Sequence, residues 1–292
     1  MYFRSFYGIP NRFHAADGTP VNAVRGFIDT IARLINEFQP DEVVACWDFD
    51  WRPAFRVALV PTYKSHRLAA ADQTEIEEEI PDDLAVQAPI MAAVLEAIGI
   101  TRIGADGFEA DDVISQLARD HNGPVDIISG DRDLFQLVTE TGPVRVIYTS
   151  KGMNNLQFAT DDWLLTKYGV PGNLYADMAI LRGDASDGLP GVAGVGEKTA
   201  VTLVQRFGGI AAILAAADNP DASMSPAVRR NILAAREYIA AADPAVRLLH
   251  PVPIPDHDAS LPTRPKHGAR LVELVDKYDL ESPVNRLLQA LD

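Results

Sequence analysis

Apolar residues recur at two spacings in the first half of the chain, and each spacing predicts a different kind of element. Over residues 21–38 they return every third or fourth position, which predicts a helix that ends before Pro40. Three further helices are predicted over residues 84–98, 110–121 and 133–138. Short unbroken apolar runs predict buried strands at residues 42–47, 100–103, 125–129 and 144–148. Because strands and helices alternate, the sequence predicts an α/β lobe with an open, mostly parallel sheet and flanking helices.

The pattern changes near residue 160, after which strand signals vanish. Short helical stretches follow, separated by glycine and proline turns. Residues 250–265 are rich in proline and predict an extended connection, which leads to two short helices at the end of the sequence. We therefore expect two domains, an α/β domain over residues 1–159 and an all-helical domain over residues 160–292.

Composition narrows the class of protein. Hydrophobic residues make up 47% and charged residues 23% of the 292 positions, which is typical of a globular chain. A single cysteine, Cys46, excludes a disulfide framework and a cysteine-based zinc site, and it favours a reducing, cytoplasmic location. The first residues lack the apolar core of a signal peptide, and the most apolar stretch, residues 90–100, is too short to span a bilayer. No membrane partner is expected.

The formal net charge of −15 argues, at first sight, against a nucleic-acid ligand. Part of the excess, however, consists of carboxylates gathered at the ends of predicted strands. Metal ions bound there would neutralise those charges. The net charge therefore decides little about the partner.

The carboxylates that could carry chemistry fall into four groups. They are Asp48; Glu109, Asp111 and Asp112; Asp131 and Asp133; and Asp184 and Asp187. Each group alone has an ordinary explanation, such as the preference of acidic residues for a helix N-terminus. Three of the groups, however, lie at the carboxyl ends of predicted strands or directly after them, where open α/β sheets place their ligands.

The composition of these groups indicates which ligand they would bind. Histidine and cysteine are absent from all four, and oxygen-only ligation suits Mg²⁺ or Mn²⁺ rather than zinc. Two such ions about 3.5–4 Å apart are a known arrangement for hydrolysing a phosphodiester. The carboxylates together predict a metal-dependent site that acts on phosphate.

A glycine-rich turn at residues 191–199 suggests a second phosphate contact. A P-loop is excluded because Glu197 separates Gly196 from Lys198, and neither a P-loop nor a dinucleotide fingerprint fits without a preceding strand. Two interpretations stay open. One is a tight helical turn without a ligand, and the other is a helix–turn–helix connection whose backbone N–H groups and Lys198 bind a phosphate backbone.

Five stretches of the chain resemble one family. They are residues 2–7 (YFRSFY), 63–67 (YKSHR), 107–113 (GFEADDV), 129–137 (SGDRDLFQL) and 181–200 (LRGDASDGLPGVAGVGEKTA). These motifs resemble those of the bacterial 5′-nuclease family, which includes the N-terminal domain of DNA polymerase I and stand-alone flap endonucleases. The resemblance covers nearly the whole chain in the right order.

The resemblance implies a PIN-like nuclease domain, a helical arch at about residues 65–90 and a helix–three-turn–helix lobe that binds duplex DNA. The implied function is a structure-selective 5′ flap endonuclease and 5′-3′ exonuclease in replication and repair, acting by a two-metal or three-metal mechanism. Expected partners are DNA with a 5′ flap or 5′ end, and a polymerase or ligase in trans. The protein itself is expected to be a monomer.

Matching positions also carry expected roles. The metal ligands would be Asp48, Glu109, Asp111, Asp112, Asp131, Asp133, Asp184 and Asp187. The catalytic cations near the scissile phosphate and the base of the arch would be Arg4, Lys64 and Arg67. The turn that contacts DNA and can hold K⁺ would comprise Val192, Gly194, Val195, Gly196, Lys198 and Thr199.

Two departures from the family pattern affect these expectations. Arg132 stands where lysine is usual. The family also begins with an apolar strand that ends in a further metal-binding aspartate, just before the segment that matches residues 2–7. The sequence begins inside that motif, so either the start lies upstream or the protein works with eight carboxylates.

Two other functions are compatible with parts of the sequence. The missing aspartate favours, as an alternative to the nuclease, a catalytically impaired protein that binds DNA structures. Asp48 and Asp50 after an apolar strand are also typical of an aspartyl-phosphate phosphatase. That class is disfavoured because Asp131 follows Ser129 too closely to leave room for the lysine that such a site needs.

Overall fold

The computed structural model describes residues 2–68, 81–139 and 144–292. Its strands are β1 (Val44–Cys46), β2 (Thr101–Ile103), β3 (Val125–Ser129), β4 (Val144–Tyr148) and β5 (Gln157–Ala159). Its α-helices up to the middle of the chain are α1 (Tyr2–Gly8), α2 (Asn22–Phe38), α3 (Ala54–Leu59), α4 (Asp82–Ala85), α5 (Ala88–Ile98), α6 (Ala110–Asp120) and α7 (Asp161–Tyr168). The later helices are α8 (Tyr175–Arg182), α9 (Glu197–Phe207), α10 (Ile210–Asp218), α11 (Pro226–Ala234), α12 (Arg236–Val246), α13 (Gly268–Tyr278) and α14 (Glu281–Leu291).

The described residues form two compact units. Unit 1 comprises residues 2–47, 81–103 and 255–292, and unit 2 comprises residues 48–68, 104–139 and 144–254. Both units contain residues from before and after residue 160. The predicted division into domains at residues 159 and 160 stays a prediction.

Unit 1 is organised by α2, which packs against α1, α5 and α14. One face of α2 is buried and includes Val24, Ile28 and Ile35, because apolar residues recur at helical spacing along it. The buried Gln87 carboxamide accepts hydrogen bonds from the backbone N–H groups of Ala23 (2.7 Å) and Val24 (3.2 Å). These bonds satisfy donors that a helix N-terminus leaves without intrahelical partners. β1 and β2 form a parallel pair in this unit.

Unit 2 contains a three-stranded sheet in the order β3–β4–β5. β3 and β4 are parallel, and β5 runs antiparallel to β4. Behind the sheet lies an aromatic core in which the Phe135 ring packs edge-on against Tyr148 and Tyr175, at centroid distances of 4.9 and 5.3 Å. Ile127 of β3 belongs to the same hydrophobic cluster, so the core holds this strand and the residues directly after it.

Most predicted elements occur within two residues of their expected bounds, including α2, α6 and all four predicted strands. β5 was not predicted, because Gln157 interrupts the apolar run that would have indicated a buried strand. The strands also pair in two groups, one in each unit. Of the predicted arch, residues 69–80 lie outside the described residues, and its described flanks contain a short 3-10 helix, Ser65–Arg67, and α4.

Within the part of the chain that the structure describes, no single helix is long and apolar enough to cross a membrane. The pair α9 and α10 meets the same criterion only when taken together, and it is bent by 85°.

Candidate active site

The first turn of α6 gathers carboxylates in unit 2. Glu109 caps the helix, and the Asp112 side chain accepts a hydrogen bond from the Glu109 N–H at 3.2 Å, which closes a capping box. Asp48 Oδ1 accepts a hydrogen bond from the Ala110 N–H at 2.8 Å. The partial positive charge of the helix N-terminus stabilises these acidic groups. The predicted motif at residues 107–113 thus supplies three acidic side chains at one helix end, and Asp48 is the fourth.

Glu109 is buried and lies among positive and neutral donors. Its Oε2 accepts hydrogen bonds from Arg56 Nη1 at 2.9 Å and from the Tyr63 hydroxyl at 2.6 Å. Its Oε1 accepts a hydrogen bond from Lys64 Nζ. Burial raises the pKa of Glu109 above its ordinary value, and Lys64 and Arg56 offset part of that increase. The side chain is therefore fixed in one orientation.

The second acidic group follows β3 directly. The Asp131 N–H donates to Ser129 Oγ at 3.0 Å, and Asp131 Oδ1 accepts from the Asp133 N–H at 3.0 Å. Asp133 begins a short 3-10 helix, Asp133–Leu137, whose Phe135 is held in the aromatic core. This turn carries both carboxylates at the carboxyl end of the strand, as the sequence predicts.

The third group lies in the turn after α8. Asp184 Oδ1 accepts a hydrogen bond from the Ser186 N–H at 2.9 Å, and Asp184 forms an ion pair with Arg182 at 3.3 Å. Burial acts to raise the pKa of Asp184, but the Ser186 hydrogen bonds and Arg182 lower it below its ordinary value. Asp187 forms an ion pair with Arg67 at 3.2 Å.

The segment that carries Lys64 and Arg67 is docked on this turn. The Thr62 hydroxyl donates to the Gly188 carbonyl at 2.7 Å, and the Lys64 N–H donates to the Asp187 carbonyl at 3.0 Å. Gly188 has a φ of +71°, and a Cβ there would lie 2.0 Å from the Thr62 carbonyl oxygen. Only glycine allows so close an approach of the two backbones.

These groups surround a small cavity of about 50 Å³. Its acidic lining residues are Glu109, Asp111, Asp131, Asp133 and Asp187, and its basic lining residues are Arg56, Lys64 and Arg67. Backbone and side chains from the end of α12 and just beyond, Ala245, Val246 and Leu248, complete the wall. Negative and positive side chains therefore line the same cavity.

The acidic side chains repel one another. Burial and the charges of Asp131, Glu109 and Asp48 raise the pKa of Asp111 well above its ordinary value. Burial and the charges of Asp131 and Asp187 raise the pKa of Asp133 in the same way. Such groups favour a bound cation, because positive charge removes the repulsion that raises the pKa.

The donor set fits a hydrated divalent ion better than a closed protein cage. Among the residues that the structure describes, no group of three or more His, Cys, Asp or Glu side chains is arranged to enclose a metal ion. Mg²⁺, however, keeps several of its waters and is usually bound through one or two carboxylates together with substrate phosphates. Asp111, Asp131, Asp133 and Asp187 line the cavity and can supply such carboxylates.

The predicted site residues take different positions in the structure. The cavity is lined by five of the eight predicted ligands and by Lys64 and Arg67. Asp48 and Asp184 are held by the backbone and side-chain bonds given above and do not line it. Asp112 is directed to Arg56, with both of its carboxylate oxygens engaged. Arg4 lies exposed on α1 in unit 1. All eight ligand assignments and the roles of these cations stay predictions.

The glycine-rich turn connects α8 to α9. The Val192 N–H donates to the Leu181 carbonyl at 2.9 Å, and Asn231 Nδ2 donates to the Ala193 carbonyl at 2.8 Å. Val192 and Val195 are buried, whereas Gly194, Gly196 and Lys198 are exposed and Thr199 is half-buried at the start of α9. The two valines therefore anchor the turn and leave its backbone and Lys198 at the surface.

Sequence reasoning missed Arg56, Tyr63 and the segment after α12. Arg56 had a detectable signal, since it is the one charged residue in the apolar α3, and a charge in such a position requires a buried partner. The segment from Ala245 to Leu248 carried no signal. It is held by the Gln136 side chain, which donates to the Val246 carbonyl at 3.2 Å and accepts from the Leu248 N–H at 3.1 Å.

Comparison with known proteins identifies the class. A family model described as "5'-3' exonuclease, N-terminal resolvase-like domain" matches residues 1–169, and one described as "5'-3' exonuclease, C-terminal SAM fold" matches residues 170–268. The chain is therefore a nuclease.

Its relatives agree. A 5'-3' exonuclease of Streptomyces coelicolor is 48% identical over 292 residues, covering 100% of this chain and 97% of the relative. A 5'-3' exonuclease of Mycobacterium tuberculosis is 45% identical over 303 residues, covering 100% and 95%. The DNA polymerase I of Mycobacterium bovis is 33% identical and matches over 31% of its own length. The chain belongs to the 5′-3′ exonuclease family, as the resemblance predicts.

Solved structures show the same fold at low identity. A bacteriophage T5 flap endonuclease in complex with DNA and metal ions aligns with a TM-score of 0.62 and 17% identity, over 98% of this chain and 95% of that chain. The catalytic core of Rad2 in complex with DNA substrate aligns with a TM-score of 0.56 and 16% identity, over 99% and 90%. The predicted fold class, a PIN-like α/β domain with a helical C-terminal part, is confirmed.

Proposed function

We propose that this nuclease removes 5′ flaps and 5′-terminal nucleotides from DNA, using Mg²⁺ or Mn²⁺ held by its acidic cavity. The observation that carries the proposal is the convergence of Asp111, Asp131, Asp133 and Asp187 on one small cavity, which basic side chains also line. Acidic groups that raise one another's pKa favour the binding of a metal cation. Basic side chains beside them favour the binding of a phosphate group.

In this proposal, the carboxylates bind the divalent cations. Two divalent ions bound there would activate a water molecule for attack and would neutralise the charge of the phosphate. The protein's own contribution is to keep Asp131 and Asp133 on a turn anchored by the aromatic core, so that their oxygens are fixed before the substrate arrives. A third ion would need further ligands, for which Asp184 and Asp48 are the candidates.

In this proposal, Lys64 and Arg67 bind the phosphate group of the substrate. Burial acts to lower the pKa of Lys64, but Glu109 and Asp187 raise it above its ordinary value, so the ammonium stays charged inside the cavity. Arg67 donates to the Ser186 carbonyl at 2.7 Å as well as pairing with Asp187. Both cations are thereby positioned to donate hydrogen bonds to the non-bridging oxygens of a phosphodiester.

The turn of residues 191–199 and the helical part around it serve to hold duplex DNA. The exposed N–H groups at the start of α9 and the Lys198 ammonium suit a phosphate backbone, and such contacts position DNA without reading its sequence. Carbonyls of Val192 and its neighbours are candidates to hold K⁺ there.

The solved relatives named above are complexes with DNA, and one also contains metal ions. This supports a DNA substrate and divalent ions for the present chain. DNA polymerase I is among the relatives, and we further propose that a polymerase or ligase acts in trans on the same DNA as this nuclease. We propose a monomer that works in the cytoplasm.

A 5′-labelled flap substrate tests the proposal directly. The wild-type protein should release the flap in Mg²⁺ or Mn²⁺, and EDTA should stop the reaction because the carboxylates then lack their cations. Blunt duplex and single-stranded DNA of the same sequence serve as controls for structure selectivity. Binding of the flap without cleavage in either metal would instead identify a catalytically impaired DNA-binding protein.

Lys198→Ala should weaken binding of duplex DNA about equally for all sequences and reduce the slope of log affinity against log salt by about 1. The reason is the loss of one phosphate contact at an exposed turn. Fluorescence anisotropy at several salt concentrations measures both effects. Lys277→Ala, an exposed lysine on α13, is the matched control. A loss confined to one DNA sequence would show that Lys198 reads bases instead.

A further inference from the structure

Arg56 is a buried cation of unit 2, and each of its three guanidinium nitrogens has a hydrogen-bond partner. It lies in the middle of α3 and is 2% exposed. Its Nη1 donates to Glu109 Oε2 at 2.9 Å and to Asp112 Oδ2 at 2.7 Å, and its Nη2 donates to Asp112 Oδ1 at 2.7 Å. Its Nε donates to the Ala245 carbonyl at 2.9 Å. A buried guanidinium is strongly disfavoured unless it is paired in this way.

Asp112 is the main partner of Arg56. Both of its oxygens bind the guanidinium in a bidentate geometry, and one of them also accepts the Glu109 N–H. Asp112 is 1% exposed and does not line the acidic cavity, whereas the adjacent Asp111 does. The resemblance assigned a metal-binding role to Asp112, yet its oxygens are already engaged.

The geometry of a helix turns this pairing into a constraint on its neighbours. Successive side chains of an α-helix point about 100° apart, so fixing Asp112 toward Arg56 fixes Asp111 toward another direction, that of the cavity. Glu109, the N-cap of α6, is joined to Asp112 by the capping box, and this proximity explains why one guanidinium binds both.

We infer that Arg56 and Asp112 form a buried anchor that aims Asp111 and Glu109 into the cavity. Arg56 is a positioning residue, and Asp112 is its partner rather than a ligand of the divalent ion. The inference rests on the proposed function in one respect, the binding of divalent ions by the cavity.

A purely structural ion pair is the competing explanation, and paired substitution separates the two. Removing one partner, as in Arg56→Met, leaves a buried charge unpaired and should lower Tm. Removing both, as in Arg56→Met with Asp112→Leu, should return Tm close to that of the wild type, because apolar residues of similar volume replace buried ion pairs well. A structural pair would then regain function together with stability.

The anchor predicts a different result for the double variant. With Tm restored, its affinity for Mn²⁺, measured by calorimetry on the protein without DNA, should still be about 10–100-fold weaker, as is typical when residues that orient metal ligands are changed. On a 5′ flap, kcat should fall by a similar factor while KM stays near the wild-type value. Wild-type Mn²⁺ affinity and kcat in the restored double variant would overturn the anchor.

A second comparison decides the role of Asp112 even if the double variant does not fold. Asp111→Asn and Asp112→Asn remove the same charge from adjacent positions. The anchor predicts that Asp111→Asn weakens Mn²⁺ binding at least tenfold more than Asp112→Asn does, and that Asp112→Asn lowers Tm more. Equal losses of Mn²⁺ affinity would show that Asp112 is a ligand and overturn the inference.

Wild-type protein measured in parallel separates this inference from the proposed function. If the wild type neither binds Mn²⁺ nor cleaves the flap, the proposed function fails, and the anchor fails with it. If the wild type does both and the variants give the overturning results above, only the anchor fails.

Discussion

Alanine in place of Asp111, Asp131 or Asp133 should reduce flap cleavage by about 10³-fold or more, since metal-assisted stabilisation of a phosphodiester transition state amounts to several kcal/mol. Binding of duplex DNA should persist, because the proposed contacts to the duplex lie in the turn of residues 191–199. All three carboxylates line the same cavity. Each substitution therefore removes negative charge only from the part of the cavity that we propose binds the divalent ions.

Single-turnover cleavage of the flap and anisotropy on the same DNA measure the two quantities separately. Asp126→Ala is the matched control, because Asp126 lies on β3 but pairs at the surface with Arg145 at 2.6 Å. Its cleavage rate should equal that of the wild type. Wild-type cleavage by any of the three cavity variants would refute its assignment as a metal ligand.

Gly188→Ala should destabilise the protein by about 2–4 kcal/mol and lower the cleavage rate as well, since steric overlap adds to backbone strain at positive φ. The added methyl group would meet the Thr62 carbonyl. Relief of that overlap requires the segment bearing Lys64 and Arg67 to move away from Asp187, which separates the basic lining of the cavity from the acidic lining.

Gly152→Ala provides the control for backbone strain, because Gly152 also has a positive φ, +83°, but its Cβ would have nothing within 4 Å. It should cost about 1 kcal/mol and leave cleavage unchanged. Denaturant unfolding of both variants gives the comparison. Equal free energies of unfolding for the two variants would show that the Gly188 contact does not hold the segment in place.

Local patterns in the sequence were sufficient for the elements that carry most of the site. The period of α2, the apolar run of β3 and the acidic residues directly after that run are all visible without the structure. The 3.6-residue and two-residue periods arise from the backbone itself, so they survive in the sequence. Carboxylates at strand ends could be grouped because parallel strands bring their carboxyl ends together.

Pairings between distant residues could not be predicted. The sequence shows that Arg56 is a charge in an apolar helix, but it does not show that the partners are Asp112 and the Ala245 carbonyl, because many acceptors could satisfy the same donors. The choice between Asp111 and Asp112 likewise depends on where α6 begins. Because Glu109 caps the helix, the directions of the Asp111 and Asp112 side chains around the helix axis are set. The spacing of the residues in the sequence does not reveal those directions.

The segment from Ala245 to Leu248, at the end of α12 and just beyond it, determines when the cavity is completed during translation. It lies against α6 through Ser115 Oγ, which donates to the Leu248 carbonyl at 2.5 Å, and through the Ala245 carbonyl that receives Arg56. Ribosomes release the chain from its N-terminus, so every acidic residue of the cavity emerges before this wall exists. A nascent chain that has reached only α11 already carries all the carboxylates, yet Arg56 still lacks its carbonyl acceptor. The cavity is thus completed only once Leu248 has been translated, and we expect a translation product that stops at α11 to cut DNA more slowly than the full chain.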